Sequence, residues 1–313
     1  MINRNIQIYI TTFNRPEFIL RSLNSVLFQT FRKIEVIISD NSTNYFTRDI
    51  LTKVNFSGVK YIKREPSLSG IDHFNKILDE VTADYFMIFH DDDIMHPKMV
   101  EHLFLSFQRY ENAVAIGTNA YLSYNGKKSN RCIFSSDSDL VLENIYDLAK
   151  QYLIRNGIVP FSSLMFRNKV SKYIRLSSEN GENFCDAAFV MDASKLGSIV
   201  YLVKPLMDYH VHTNNRHVPD VSINNKKFIE YLKKNIESRD KQKLIEEYED
   251  KATYMAFKQG ILSRELVIFS RRYFKLLLAL FKTSFTDYFV RSLVLTVITI
   301  FNISTNRIKV GNN

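Results

Sequence analysis

Short apolar runs alternating with amphipathic stretches organise the first ninety residues. Ile6–Ile10, Ile34–Ser39, Val59–Ile62 and Tyr85–Phe89 are rich in branched and aromatic side chains and too short for helices, so each reads as a strand. Between them, Pro16–Phe28 sets Phe18, Ile19, Leu23 and Val26 at helical spacing behind a first-turn proline, and Ile71–Val81 is a second helix. Strands alternating with helices predict βαβ units and a parallel sheet. Right-handed crossovers then carry Thr11–Arg15, Asp40–Ser42 and Asp91–Asp93 to one rim of that sheet, the edge where open α/β sheets bind ligands.

From Val114 the alternation loosens. Val114–Gly117 and Ala120–Tyr124 are strand-like, Asn125-Gly126 is a hairpin signal, and a polar stretch runs on to Asp139, which together read as insertion material around the sheet. A helix near Glu143–Arg155, a strand-like Ser163–Phe166, a polar loop Ser177–Asn183 and the segment around Asp186 follow. After the histidine-rich Asp208–His217 the pattern is helical through residues 224–283. The expected organisation is residues 1–117 and 118–220 as two halves of one α/β domain, with 221–313 a helical, basic C-terminal region.

Charge sharpens the view of that last region. The 313-residue chain carries a formal +9, and residues 251–313 hold ten Lys/Arg against two acids. Their basic positions are interleaved with aromatic and aliphatic ones, as in Arg271-Arg272-Tyr273-Phe274-Lys275 before Leu276-Leu277-Leu278. That mixture suits an anionic membrane surface better than nucleic acid, and no nucleic-acid partner is expected. Ser292–Ile303 runs twelve residues without a charge, short of the ~20 a membrane-spanning helix needs, so it is expected as an interfacial helix or as a buried one, for instance in a homodimer. Two cysteines, Cys132 and Cys185, offer neither a disulfide framework nor metal-ligand spacing, and Met1–Ile10 lacks the long apolar region of a signal peptide. The expected setting is cytoplasmic, peripheral on the inner face of the cell membrane.

The densest chemistry lies in residues 85–97, where a hydrophobic strand empties into Asp91, Asp92 and Asp93. One aspartate suffices to cap the helix that opens near Pro97. Three in a row favour a divalent cation such as Mg²⁺, which takes one or two carboxylates together with substrate phosphates.

These residues resemble the family 2 glycosyltransferases, nucleotide-sugar-dependent enzymes of the GT-A fold. The resemblance is carried by Ile10-Thr11-Thr12-Phe13-Asn14-Arg15, Leu27-Phe28-Gln29-Thr30, Ile37-Ile38-Ser39-Asp40-Asn41-Ser42, Asn75 and Phe89-His90-Asp91-Asp92-Asp93, in order and spacing over residues 6–93. It implies a mostly parallel, Rossmann-like sheet flanked by helices, with residues 1–117 binding the nucleotide sugar and 118–220 the acceptor. It further implies that Thr11, Asn14, Arg15 and Asn75 line the nucleotide pocket, that Asp40 accepts a hydrogen bond from the base, and that Asp91-Asp92-Asp93 is the Asp-x-Asp motif. On that motif Asp93 holds Mn²⁺ or Mg²⁺ most directly, with Asp91 acting toward ribose or through water.

Two later segments extend the resemblance. Asn183-Phe184-Cys185-Asp186 resembles the place where inverting members carry their catalytic carboxylate, with Cys185 in the position of a common glutamate and Glu182 or Glu179 as the alternative carboxylate to Asp186. Tyr209-His210-Val211-His212 resembles the late Tyr-Arg-x-His motif that closes over the donor diphosphate, with histidine in place of arginine at 210. If extended, that segment turns His210 and His212 to one face, where His212 is the first choice for phosphate or metal. The implied reaction is metal-dependent, inverting transfer from a nucleotide diphosphate sugar, of the UDP class, to a hydroxyl of a lipid-linked glycan in bacterial O-antigen or capsule assembly. A nucleotidyltransferase and a non-catalytic glycan- or membrane-binding relative are the competing readings, although residues 11–16 lack the glycines of a nucleotidyltransferase phosphate loop.

Overall fold

Hydrophobic runs of this kind are stable only when both faces are covered, and the centre of the molecule is built on that requirement. The computed structural model describes residues 6–54, 58–124, 126–154, 158–181, 184–211, 223–262, 288 and 290–296. Its strands are β1 (Ile6–Thr12), β2 (Ile34–Asp40), β3 (Val59–Lys63), β4 (Tyr85–His90), β5 (Ile94–Met95), β6 (Ala113–Tyr124), β7 (Lys127–Cys132), β8 (Leu140–Leu142), β9 (Met165–Arg167) and β10 (Ser198–Val211). The helices are α1 (Ile19–Leu27), α2 (Phe46–Thr52), α3 (Gly70–Glu80), α4 (Met99–Arg109), α5 (Ile145–Leu153), α6 (Asn168–Tyr173), α7 (Cys185–Ala193), α8 (Ile223–Asn235) and α9 (Lys241–Leu262). By contacts the chain divides into two compact units, Met1–Asn215 and Arg216–Asn313.

In the first unit the sheet runs β3-β2-β1-β4-β9-β6-β10-β5, with β7 beside β6 and β8 beside β10. β3, β2, β1 and β4 are parallel to their neighbours, and β6 is parallel to β10. β9 is antiparallel to both β4 and β6 and joins the two parallel groups. β1 is central: Ile6, Ile8 and Ile10 are fully buried and pack with Ile19, Leu23 and Val26 of α1, three positions at helical spacing. α3 begins at Ser69, whose hydroxyl accepts the backbone N–H of Asp72, an N-cap of the ordinary kind.

Strand register aligns the rim. Thr12 lies opposite Asp40, Thr11 opposite His90, and Asp40 opposite Lys63, all at the C-terminal ends of their strands. β10 pairs antiparallel with β5 just past the acidic triplet, and this carries Tyr209 and His210 to the same rim.

One expectation needs correcting. Residues 114–124 are not insertion material: they form β6, an internal strand twelve residues long between β9 and β10. Its central Gly117 and Asn119 break the apolar pattern for reasons visible only in three dimensions. A Cβ on Gly117 would lie 2.6 Å from Val159 Cγ2, and the Asn119 amide donates to the Phe134 carbonyl at 2.7 Å. β7 does return antiparallel to β6, with Tyr124 opposite Lys127 and Gly126 at φ 76°, while Asn125 lies outside the described residues. α2 was not expected, because it buries only Thr47 and has no apolar stripe to announce it.

In the second unit, α8 and α9 bury Phe228, Tyr231, Leu232, Leu244 and Ile245. The Arg271–Leu278 basic segment lies outside the described residues, as does Ser292–Ile303 beyond residue 296. Among the described residues, no helix is long and apolar enough to cross a membrane.

Candidate active site

The aligned rim opens into a cleft of about 490 Å³ whose walls include Thr11, Arg15, Asn41, His73, His90, Asp92, Tyr209 and His210. Each element contributes through its C-terminal end, the geometry that parallel strands impose. Arg15 sits where the chain leaves β1. Its guanidinium forks across the acidic triplet, Nη1 donating to Asp92 Oδ2 at 2.8 Å and Nη2 to Asp91 Oδ1 at 2.5 Å. Asn14 prepares that position in the left-handed region, at φ 54°. Its side-chain oxygen accepts from the Thr43 N–H at 3.0 Å and from the Asn44 amide at 3.0 Å, tying the loop after β1 to the loop after β2.

The three acids have different surroundings. Asp91 is fully buried; one oxygen serves Arg15, and Oδ2 accepts no hydrogen bond, the Thr12 hydroxyl lying near but outside bonding geometry. Burial lifts its carboxyl to about 6 against the lowering influence of Arg15. Asp93, 1% exposed, accepts from the Ser162 hydroxyl at 2.5 Å and from the His210 N–H at 2.9 Å. Burial and the negative charge of Asp92 still push it up to about 7. Asp92 lies between them and faces the cleft.

One atom each from His90, Asp92 and Asp93 lies within 4.8 Å of the others. Two hard carboxylates with an imidazole suit Mn²⁺ or Mg²⁺. His90 is held below the ordinary imidazole value, first by lost hydration and also by Arg15, against the raising influence of Asp92. Among the described residues, the buried, unbonded Asp91 Oδ2 and two acids lifted by burial stand against the single guanidinium of Arg15. The residues present fit a divalent cation.

Thr11, Arg15 and Asp92 thus share the cleft, with Asp93 directly behind its wall. Asn14 acts on the loop rather than on the cavity. Asp40 is wholly buried behind the wall: Oδ1 accepts from the Ser42 N–H at 2.8 Å and Oδ2 from the Tyr61 hydroxyl at 2.7 Å. Its neighbour Asn41 lines the cleft and holds Leu68 there by paired amide bonds of 2.9 and 2.8 Å. Asn75 also faces away, bonded to both backbone groups of Leu176. For the metal, the geometry groups Asp93 with Asp92 and His90, whereas Asp91 is turned to Arg15; the expected third ligand, His212, lies outside the described residues.

Asp186 opens α7, with Oδ1 accepting the Ala187 N–H at 2.7 Å. It does not line the large cleft. Exposed at its outer side, it edges a separate small hollow of apolar side chains, among them Val159, Phe161, Leu164 and Val190, and crowding on that inner side raises its carboxyl. The two spaces are neighbours, because Phe161 walls the hollow while the next residue, Ser162, bonds Asp93. Burial of Tyr209 on the cleft wall, followed by the charges of Asp93, Asp92 and Asp186, pushes its hydroxyl up to about 12.

His90 and Ser162 have no role assigned from sequence, and Tyr209 entered only as the first residue of the late Tyr-His-Val-His segment. His90 had a signal, as the last residue of a strand that ends on acids. Ser162 had none, lying 69 residues from Asp93 with no motif around it.

A parallel sheet with an acid-rich cleft at its rim, extended by an antiparallel strand into a second half, is the architecture of a GT-A glycosyltransferase domain. The glycosyl transferase family 2 profile matches residues 7–174, more than half of the chain, and this protein belongs to that family. Its sequence is 22% identical over 217 residues to an uncharacterized glycosyltransferase of Haemophilus influenzae, covering 67% of this chain and 66% of that one. To AmsB, an amylovoran biosynthesis glycosyltransferase of Erwinia amylovora, it is 22% identical over 220 residues, 67% and 70% of the two chains. The chain therefore spans about two thirds of the length of these relatives. In fold it is similar to S. aureus TarS in complex with UDP, with a TM-score of 0.60 at 16% identity over 84% of this chain and 76% of that one. The mannosyltransferase PcManGT of Pyrobaculum calidifontis, in complex with GDP-Man and Mn²⁺, superposes with a TM-score of 0.55 at 12% identity over 96% and 87%.

Proposed function

We propose that this protein transfers a glycosyl group from a UDP-class nucleotide sugar to a hydroxyl of a lipid-linked glycan, with inversion, in bacterial surface-polysaccharide assembly. The observation that carries the donor half is the Arg15 fork beside His90, Asp92 and Asp93 in a cleft of about 490 Å³, large enough for a nucleotide sugar. His90, Asp92 and Asp93 are the residues that would hold Mn²⁺ or Mg²⁺, and a cation there would supply positive charge against the leaving diphosphate. Thr11, Asn41 and the segment at Leu68 receive the nucleoside, and Asp40 shapes that wall through the turn at Ser42. Tyr209 and His210 close the diphosphate side.

Asp186 is the base. Its raised carboxyl accepts the acceptor's hydroxyl proton as that oxygen bonds to the anomeric carbon, while the anomeric carbon–oxygen bond breaks and its electron pair leaves on the diphosphate. The acceptor side draws on AmsB's role in amylovoran biosynthesis, and the basic C-terminal segment is suited to docking at an anionic, cytoplasmic membrane surface where a lipid-linked acceptor is displayed.

Saturation-transfer NMR or calorimetry with UDP-, GDP-, CMP- and dTDP-sugars, with and without Mn²⁺, tests the donor half on the wild type and Asp92→Asn. Mn²⁺-dependent binding of UDP-sugars, lost in the variant, is expected; no binding by any class overturns the reading. For the membrane, sedimentation with anionic vesicles is expected to retain the full chain and not one lacking residues 263–313. Equal binding by both forms rejects surface docking by the tail.

A further inference from the structure

Asp92 has two claims on it. It accepts from Arg15 Nη1 at 2.8 Å, and it belongs to the His90/Asp92/Asp93 group that fits a divalent cation. A guanidinium and a metal ion on one carboxylate repel each other in a site whose neighbouring acids are buried, where charges interact more strongly than in water. Arg15 has somewhere to go. Its side chain is 36% exposed, it lines the cleft, and it is built on a loop held by Asn14. Asp91 is the opposite case, fully buried with Arg15 on Oδ1 and nothing bonded to Oδ2.

We propose that Arg15 is an exchange latch between the metal and the donor: it keeps Asp91 through Nη2, and its Nη1 edge passes from Asp92 to the donor's diphosphate when a divalent cation takes Asp92. The inference rests on the donor reading above and adds a positioning role that couples the two ligands. The cation frees a fork-shaped donor suited to phosphate oxygens. The diphosphate in turn removes the cation's competitor. By linkage the two ligands must strengthen each other by the same factor, about 5- to 150-fold in typical couplings, and part of that factor belongs to Arg15.

The test is a titration of the intact protein with Mn²⁺, read from the electron paramagnetic resonance signal of the free ion, with and without saturating UDP, on wild type, Arg15→Ala and Arg15→Lys. Arg15→Ala is expected to bind Mn²⁺ alone about fivefold or more tightly than wild type. The factor by which UDP strengthens Mn²⁺ binding is expected to fall in the same variant, with Arg15→Lys, which keeps the charge but not the fork, in between. Thermal melts establish that each variant is folded. Mn²⁺ binding that is unchanged or weaker in folded Arg15→Ala overturns the latch, as does an undiminished UDP effect. Failure of UDP to bind wild type under any condition removes the donor reading itself, and so the two failures are distinct.

Discussion

Two arginine forks stand within the first unit, and they are satisfied to different degrees. Arg64, 6% exposed, meets Glu80 with both arms at 2.6 and 2.7 Å, and its Nε donates to Ser39 Oγ at 2.9 Å. Ser39 Oγ is shared with His73 Nε2 at 2.7 Å. There one cation serves one carboxylate, and the bond to Arg64 is the leading reason that Glu80 sits below the ordinary carboxylate range. At the rim, among the described residues, one guanidinium serves Asp91 and Asp92 with Asp93 close behind, and burial outweighs it, so that Asp91 and Asp93 are both raised. Charge matched to charge is structure. Charge left over, at a strand end beside a cleft, is the mark of a site.

The largest expected effect extends that contrast to the remaining raised acid. Asp186→Asn removes the carboxylate without changing its size, and turnover should fall about 10²- to 10⁴-fold while the melting temperature holds. Near-normal product formation by Asp186→Asn would take Asp186 out of the chemistry and leave it as the first-turn acid of α7.

Stability should invert the ranking of the two forks. Arg64→Ala leaves Glu80 and the Ser39–His73 pair without their cation and is expected to cost about 3 kcal/mol, the lower end for breaking a buried pair because Glu80 is partly exposed. Arg15→Ala withdraws a cation that is 36% exposed from Asp91, which is buried but takes a proton more readily than an ordinary carboxylate, so a smaller loss of about 1–2 kcal/mol is expected. Urea denaturation of both variants decides the comparison. Equal losses would mean that the rim fork is as structural as the other.

A pH series separates the two regions without mutation. Burial first, then Arg64, lowers His73 to about 4, so the native protein refuses a proton that the unfolded chain accepts near 6.5. Stability from this group is therefore whole above pH 6.5 and is lost as pH falls toward 4. Linkage puts the loss between pH 7.5 and 5 at about 2 kcal/mol. His73→Gln should flatten that part of the stability curve, and an unchanged slope would assign acid sensitivity elsewhere.

Much of this architecture is legible in the order of the residues. Four parallel strands and the convergence of Thr11–Arg15 with Asp91–Asp93 follow from apolar runs and crossover handedness, which are local rules applied in series. What escapes those rules is decided by contacts between distant residues. β6 is unreadable as a core strand because Gly117 and Asn119 are chosen by Val159, Leu164 and Phe134, not by their neighbours in sequence. Asp40 and Asn75 match the family pattern in type and place, yet side-chain direction depends on what packs behind the rim: Tyr61 and Ser42 take the one, Leu176 the other. Ser162 reaches Asp93 only because β9 enters the sheet beside β4.

The smallest effect concerns how the rim fork is aimed. Asn14 combines a left-handed backbone with a side chain that bonds the loop after β2, and the two functions can be separated. Asn14→Gly adopts φ 54° without strain and loses only the bonds to Thr43 and Asn44, whereas Asn14→Ala loses the same bonds and adds about 1 kcal/mol of left-handed strain. Both should loosen Arg15 and weaken UDP binding in the presence of Mn²⁺, with glycine nearly silent in melting temperature and alanine shifting it down by a few degrees. If glycine binds UDP as well as wild type while alanine does not, the backbone turn alone aims Arg15, and the side-chain bridge between the β1 and β2 loops is incidental to the site.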